Sequence, residues 1–310
     1  MSKKYKTALV TGGAGFIGSH IVDALIKRRI KVYVVDDLSS GSKKNVNPNA
    51  HFTKLSILSP QFETYLKRVK PDVIFHLAAQ VNLRESVIDP PNDAMTNILG
   101  TLRLAHAAGK LGVKKVIYSS TGGPMYPEDA RMPYSEKTPP GPISPYGISK
   151  RAGEMYLHYA YQVHGMPYVA LRYANVYGPR QNAKGEAGVV SIFSERMLKG
   201  EPVSITGTGK QTRDFVFVDD VVRANMLAMN RKVVGEFNIS TSKETDINTL
   251  CKKMKKLIGH DLPARKVPAP PGEVMRSALS YAKARKQLGW EPRVKLDDGL
   301  KKTIAWFQKN

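Results

Sequence analysis

Through the first two-thirds of the chain, short apolar runs bounded by glycine, proline or charge alternate with longer stretches that are apolar on one side only. That rhythm marks parallel strands joined by crossover helices. Strands are predicted at residues 7–11, 32–36, 73–78, 115–119 and 168–173, with helices beginning near Gly15, near Phe62, near Asp93 and at Pro145. The order predicts an α/β fold, a Rossmann-type doubly wound parallel sheet. The helix at Pro145 has a legible start, because Ser144 is a capping residue and proline suits a first turn whose amide hydrogens lack partners. Residues 138–145, rich in proline, read as a loop, and residues 178–188, rich in glycine and polar side chains, as an excursion. Beyond them the pattern becomes a patchwork. Strands at 216–218 and 237–240 and helices at 249–258 and 280–288 predict a smaller mixed α/β domain, with a linker around Pro270.

Composition narrows the class only slightly. A chain of 310 residues, 42% hydrophobic, can bury one large core or two smaller ones. No run approaches the roughly 20 apolar residues of a membrane span, and the first residues lead straight into a strand, so a soluble, cytoplasmic protein is expected. The single Cys251 rules out an intrachain disulfide and a cysteine-rich metal site, and no metal is expected. A formal net charge of +22 attracts anions of every kind, from sugar nucleotides to nucleic acid. The cations are scattered, at Lys43 and Lys44, Lys252 to Lys256, and Lys301 and Lys302, without aromatic interleaving. A solvated basic surface is therefore preferred over nucleic-acid binding.

The first strand runs into Thr11-Gly12-Gly13-Ala14-Gly15-Phe16-Ile17-Gly18, where an amphipathic helix begins. Glycines at such a turn permit a positive φ and let a pyrophosphate approach unpaired amides at the helix start. Asp36 closes the second strand, at the spacing of an acid that binds ribose hydroxyls. A carboxylate there repels a 2'-phosphate, which favours NAD over NADP.

Tyr146 and Lys150 stand four apart at the start of the Pro145 helix and so share a face. A tyrosine titrates at about 10, and bringing it to neutrality takes roughly 4 kcal/mol of phenolate stabilisation. A neighbouring ammonium is the right perturbant. Upstream, the strand at 115–119 runs into Ser119-Ser120-Thr121-Gly122-Gly123-Pro124-Met125-Tyr126. Hydroxyls at a strand's C-terminal end lie where ligands bind in open α/β sheets, so Thr121 or Ser120 can bridge Tyr146 and a substrate hydroxyl.

These segments, with Val35-Asp36-Asp37-Leu38-Ser39-Ser40-Gly41, His76-Leu77-Ala78-Ala79-Gln80, Asn97, Leu171-Arg172-Tyr173-Ala174-Asn175, the run from Gln211 to Asp220, and Leu288-Gly289-Trp290, resemble the successive signatures of extended short-chain dehydrogenases/reductases across essentially the whole chain. The strips at 35–41 and 76–80 are most like the UDP-glucose 4-epimerases and their close relatives. The resemblance implies an NAD-binding domain of residues 1–175, rejoined by 215–240, and a sugar-nucleotide domain of 176–214 and 241–310. It implies that Gly12, Gly15, Phe16, Ile17, Gly18, Asp36, Leu77, Ala78, Ala79, Asn97, Ser119, Tyr146 and Lys150 hold NAD. Tyr146 would be the base at the sugar 4-hydroxyl, with Thr121 and Ser120 beside the proton path and Lys150 lowering the pKa of Tyr146. Hydride would pass from C4 to NAD, the keto sugar would turn over, and hydride would return to its other face. Substrate contacts would come from Thr121, Tyr146, Asn175, Val189, Arg213, Phe215, Glu273 and Ser277. A small residue at Ser277, where glucose-restricted relatives carry tyrosine, implies that N-acetylated sugars are accepted. A homodimer is implied through helices at about 93–110 and 145–164, with Leu99, Leu102, Ala105, Met155 and Tyr159 as interface candidates.

Departures fall at nucleotide contacts. Ser56 stands where the family has an aspartate near adenine, Thr206 where an aromatic stacks on uracil, Pro270 where a second diphosphate-binding arginine is common, and Pro127 where a glycine follows Tyr126. A related dehydratase would follow its threonine with an Asp-Glu pair, and a decarboxylase would carry Thr-Ser-Glu; here Gly122 and Gly123 follow Thr121. The intact Tyr146 and Lys150 also weigh against a non-catalytic basic NAD- or RNA-binding relative.

Overall fold

The computed structural model describes residues 5–183, 188–259, 261–269 and 274–310. Its first half alternates strand and helix: β1 (Thr7–Thr11), α1 (Phe16–Lys27), β2 (Lys31–Asp36), β3 (His51–Lys54), α2 (Gln61–Val69) and β4 (Val73–His76). Then come α3 (Leu83–Ile88), α4 (Pro90–Ala94), a π-helical turn over Met95–Leu99, α5 (Gly100–Lys110), β5 (Lys115–Thr121), α6 (Pro145–His164) and β6 (Tyr168–Tyr173). The remainder comprises β7 (Asn175–Tyr177), α7 (Val189–Leu198), β8 (Ser204–Thr206), β9 (Thr212–Phe217), α8 (Val218–Asn230), β10 (Gly235–Ile239), β11 (Glu244–Asp246), α9 (Ile247–Ile258), β12 (Arg265–Val267) and α10 (Leu296–Phe307).

Seven strands form one parallel sheet in the order β10-β6-β5-β4-β1-β2-β3, a Rossmann order that realises the doubly wound sheet read from the pattern. Central strands such as Ala8-Leu9-Val10 are apolar throughout because both faces are covered. Ala8 and Val10 pack with α1, α8 and Trp290 on one side, while Leu9 packs with α2, α5 and α6 on the other. Ser144 Oγ accepts the amide of Gly147 at 3.1 Å, so α6 starts where its cap and proline placed it.

The predicted and observed elements differ mainly at the edges. β3, half-exposed His-Phe-Thr-Lys, has no period of its own and is a strand because the open edge of β2 supplies its hydrogen bonds. The strand read at 216–218 is the end of β9, which pairs with β7 and β11 in a separate three-stranded sheet, whereas β10 joins the large sheet. The helix read at 280–288 is reduced to a π-helical turn over Ala284–Leu288, closed by Gly289 at φ 69° over the buried Trp290. A third apolar core joins α7, α9 and α10 through Phe193, Leu250 and Leu300 against Phe215 and Phe217. The linker read around Pro270, like residues 184–187 of the excursion, lies outside the described residues.

One ionic network is buried between α6 and the sheet. Both oxygens of Glu154, 0% exposed, receive Arg172, at 2.8 Å from Nε and 2.7 Å from Nη2. Ser120 Oγ and Arg151 Nη1 add bonds at 2.8 and 3.0 Å. Removing one member of so buried a pair leaves an uncompensated charge costing about 3–5 kcal/mol, so the network fixes the end of β5 against α6.

Candidate active site

The turn after β1 is shaped by what glycine lacks. Gly12 has φ 70°, and a Cβ there would stand 2.6 Å from the backbone nitrogen of Ala78. A Cβ on Gly18 would stand 2.1 Å from the carbonyl oxygen of Gly12. The turn therefore folds tightly onto the loop after β4 and leaves the start of α1 bare. No side chain caps α1 and no acid occupies its first turn, so its amides face the cleft with their positive end. Asp36, 6% exposed, accepts the amides of Ala14 and Leu38, each at 2.9 Å, which locks its carboxylate beside this turn. Burial pushes its pKa up, and the two amides oppose that shift. A glycine cradle at a helix start with an acid at the tip of the next strand fits a dinucleotide.

The cleft, about 2230 Å³, runs from this turn along the C-terminal edge of the sheet into the second domain. Of the residues predicted for the cofactor, Gly12, Gly15, Phe16, Ile17, Gly18 and Asp36 line one end of it, and Leu77, Ala78, Ala79, Ser119 and Tyr146 continue the wall. Of those predicted for the substrate, Thr121, Asn175, Val189, Arg213 and Phe215 line it too. Asn97 does not line the cleft; its side chain is buried, accepting the amide of Gln80 at 3.0 Å and donating to the Gln80 carbonyl at 2.8 Å. Ser277 is buried behind the wall, its Oγ 3.3 Å from where a Cβ on Gly123 would stand. Glu273 and Pro270 lie outside the described residues.

Tyr146 and Lys150 meet where α6 crosses the end of β5. Lys150, 3% exposed, donates Nζ to the Ser119 carbonyl at 3.0 Å and stands 5.8 Å from the Tyr146 ring centroid and 4.9 Å from that of Tyr118. Burial lowers its pKa to about 8, opposed by the charges of Asp93 and Glu154. His76, wholly buried, is hydrogen-bonded to Thr11 Oγ1 at 2.7 Å and Thr101 Oγ1 at 3.1 Å. Burial, with Lys150 as the lesser cause, lowers it to about 3, so it is a neutral structural imidazole. Ser120 and Thr121 both line the cleft, and they differ in that the Ser120 hydroxyl is committed to Glu154.

Several further residues complete the wall, among them Ser56 and Thr206, named above as departures, and Gln211 and the end of α10, which sequence reasoning gave no site role. Gln211 lines the cleft and donates Nε2 to Thr206 Oγ1 at 2.9 Å, in the place where the sequence lacks an aromatic ring. Ser56 lines the wall, its Oγ accepting the Leu58 amide at 3.2 Å. The end of α10, with Trp306 and Gln308, reaches the cleft from the far C-terminus, and only its amphipathic pattern could have signalled a packed helix there. Arg213 donates Nη1 to the carbonyls of Thr212 at 2.8 Å and Val274 at 2.7 Å, so it ties the wall to residue 274 as well as carrying charge.

Fold and cleft together define the class, a dinucleotide-binding enzyme with Tyr146 in its cleft wall. The sequence profile described as the NAD dependent epimerase/dehydratase family matches residues 8–240. The chain is 51% identical to the Thermotoga maritima UDP-glucose 4-epimerase solved with UDP-glucose, at a TM-score of 0.96 over 98% of this chain and 99% of that one. It is 39% identical to the Thermus thermophilus UDP-glucose 4-epimerase in complex with NAD, at a TM-score of 0.93 over 97% of this chain and 99% of that one. Over 306 residues it is 43% identical to the UDP-glucose 4-epimerase of Mycolicibacterium smegmatis, covering 97% of this chain and 98% of that protein. The chain belongs to the NAD dependent epimerase/dehydratase family, and its cofactor is NAD.

The Gly12 geometry yields a direct expectation. Gly12→Ala places a methyl group against the Ala78 backbone at a positive φ, so it abolishes NAD retention in a protein that otherwise purifies with the nucleotide. Mass spectrometry of the released nucleotide checks it; NAD at wild-type occupancy in the variant would contradict the cradle.

Proposed function

We propose that the chain is a cytoplasmic NAD-dependent 4-epimerase of UDP-linked hexoses that interconverts UDP-glucose and UDP-galactose by transient oxidation at sugar C4. The observation that carries this reading is the placement of Thr121 and Tyr146 in the cleft wall, with Lys150 buried directly behind them. NAD, held by the Gly12 to Gly18 turn and Asp36, supplies a reversible hydride acceptor for the sugar carbon. Tyr146 takes the proton of the 4-hydroxyl and returns it, the Lys150 ammonium stabilises the phenolate, and Thr121 orients the hydroxyl between them. Arg213 sets a positive charge in the part of the cleft that also holds Asn175 and Phe215, suited to a diphosphate.

The turn after Thr121 favours epimerisation over elimination. A Cβ on Gly122 would stand 2.2 Å from Leu279 Cδ1 and 2.9 Å from the Tyr173 carbonyl oxygen, so the acid that a dehydratase needs here has no room. Without that acid, loss of water lacks its general acid/base.

We extend the reading to N-acetylated sugars and to a dimer. Ser277 lies behind the cleft wall with its Oγ close to Gly123, two residues after Thr121, and so small a side chain does not reach into the cleft. For the dimer, Met155, Tyr159 and Val163 form an exposed stripe along α6, with Ile88 of α3, 74% exposed, and Met95 nearby. Of the interface candidates, Ala105 is buried in the core beside α2 and belongs to no surface, whereas Leu99 and Leu102 are half-buried.

Three measurements test this reading. Tyr146→Phe lowers kcat for UDP-galactose by about 10²–10⁴-fold with NAD content and melting temperature unchanged, and Thr121→Val lowers it less; a wild-type rate in Tyr146→Phe would remove the proposed base. Ser277→Tyr lowers kcat/KM for UDP-N-acetylglucosamine more than for UDP-glucose, and equal loss on both refutes the specificity role. Light scattering at micromolar concentration gives twice the 34.3 kDa chain mass, and Met155→Arg shifts it to the monomer; a monomeric wild type rejects the dimer.

A further inference from the structure

An ammonium removed from water needs hydrogen bonds and counter-charge, and Lys150 has few neighbours to provide them. From β5 it meets the Ser119 carbonyl and the Tyr118 ring, and from β4 the neutral His76. Its own helix offers Tyr146 and, one turn on, Glu154. Glu154 is already committed to Arg172, Arg151 and Ser120. The other acid that acts on Lys150 among the described residues is Asp93, in α4, which packs against α6.

Asp93 is 0% exposed. Its Oδ1 accepts Asn97 Nδ2 at 2.9 Å and Gln80 Nε2 at 3.1 Å, and Asn97 in turn grips both the amide and the carbonyl of Gln80. Its Oδ2 is buried and has no hydrogen-bond partner among the described residues. A carboxylate oxygen buried without a partner is costly, and the cost is met if its charge serves another buried ion. Of the two acids that favour the charged form of Lys150, Asp93 acts more strongly than Glu154, against the larger opposing effect of burial.

We propose that Asp93 is a positioning residue for the catalytic pair: one oxygen fixes the loop after β4 through Asn97 and Gln80, and its charge keeps the buried Lys150 an ammonium. This rests on the reading of Tyr146 and Lys150 as the acid/base pair. One side chain thereby couples the wall beside the cofactor turn to the protonation of the residue that activates Tyr146. The sign of the pH effect follows. Lys150 loses its proton as pH rises through its pKa, and without Asp93's charge that loss comes at lower pH. The alkaline limb of the activity profile therefore moves down.

Asp93→Asn keeps an oxygen for Asn97 and Gln80 and removes the charge. In NAD-bound protein carrying ¹³C-labelled lysine, the Lys150 resonance is assigned by its disappearance in Lys150→Met. Its titration midpoint falls by about one unit or more in Asp93→Asn, and Asp93→Glu recovers part of the shift. The alkaline limb of kcat/KM follows in the same direction while NAD content holds. A midpoint that does not move overturns the proposal, even if activity drops uniformly across pH. Should Asp93→Asn not fold, the Asp93→Asn/Lys150→Met double variant decides: recovered folding shows that the unpaired ammonium was the fault, and continued failure to fold overturns the pairing. The titration needs no turnover, so a shifted midpoint beside a failed UDP-glucose assay would reject the substrate and leave the pairing in place.

Discussion

Parallel pairing of β1, β4 and β5 is the constraint on which the rest of this molecule depends. The register sets Thr11 level with His76 and His76 level with Tyr118, so three chain segments far apart in sequence end along one edge. Each then turns out of the sheet with its own chemistry: the glycine turn from β1, the Leu77 to Ala79 loop from β4, and the hydroxyls of Ser119 to Thr121 from β5. Hydrogen bonds of the buried His76 to Thr11 on one side and Thr101 on the other reinforce the alignment. Apolar layers on both faces make that register rigid, since slipping one strand by a residue would send its side chains to the opposite layer.

On this frame, function is arranged by burying charge at a few points and compensating it locally. Glu154, with Ser120 and Arg172, ties α6 to β5 and β6, and the same helix carries Tyr146 and Lys150, so that face of α6 is held at a fixed height over the strand ends. Burial that lowers the pKa of Lys150 also places its ammonium close to Tyr146, where a low dielectric strengthens its effect on a phenolate. The basic surface is a separate matter. Many of its lysines lie on exposed faces such as that of α9, far in role from this buried pair.

The smaller sheet and its helices build their side of the cleft by a different means. The three-stranded sheet and helices α7, α9 and α10 share an aromatic core at Phe193, Phe215 and Phe217, and the cleft wall is the edge of that core. Arg213 and Gln211 use side-chain bonds to backbone or to Thr206 to brace the wall they line. One of them, from Arg213 to the Val274 carbonyl, joins residues 61 positions apart.

What the sequence determined by itself is whatever local chemistry dictates. Apolar periodicity placed the five inner strands of the large sheet, glycines at Gly12 and Gly18 marked a turn that needs glycine, and Ser144 with Pro145 marked the start of α6. The four-residue spacing of Tyr146 and Lys150 is likewise a property of any helix. Tertiary structure alone decided which hydroxyl is committed elsewhere, because Ser120 and Thr121 are adjacent and both line the cleft, but Glu154 takes the hydroxyl of Ser120. It placed Asn97 behind the wall and Ser277 against Gly123, gave β3 its strand by offering an edge, and sent β9 to the smaller sheet. The physical reason is the same in each case: turn and helix geometry is set by neighbours along the chain, whereas burial, ion pairing and strand partnership are set by groups that the chain brings together only when folded.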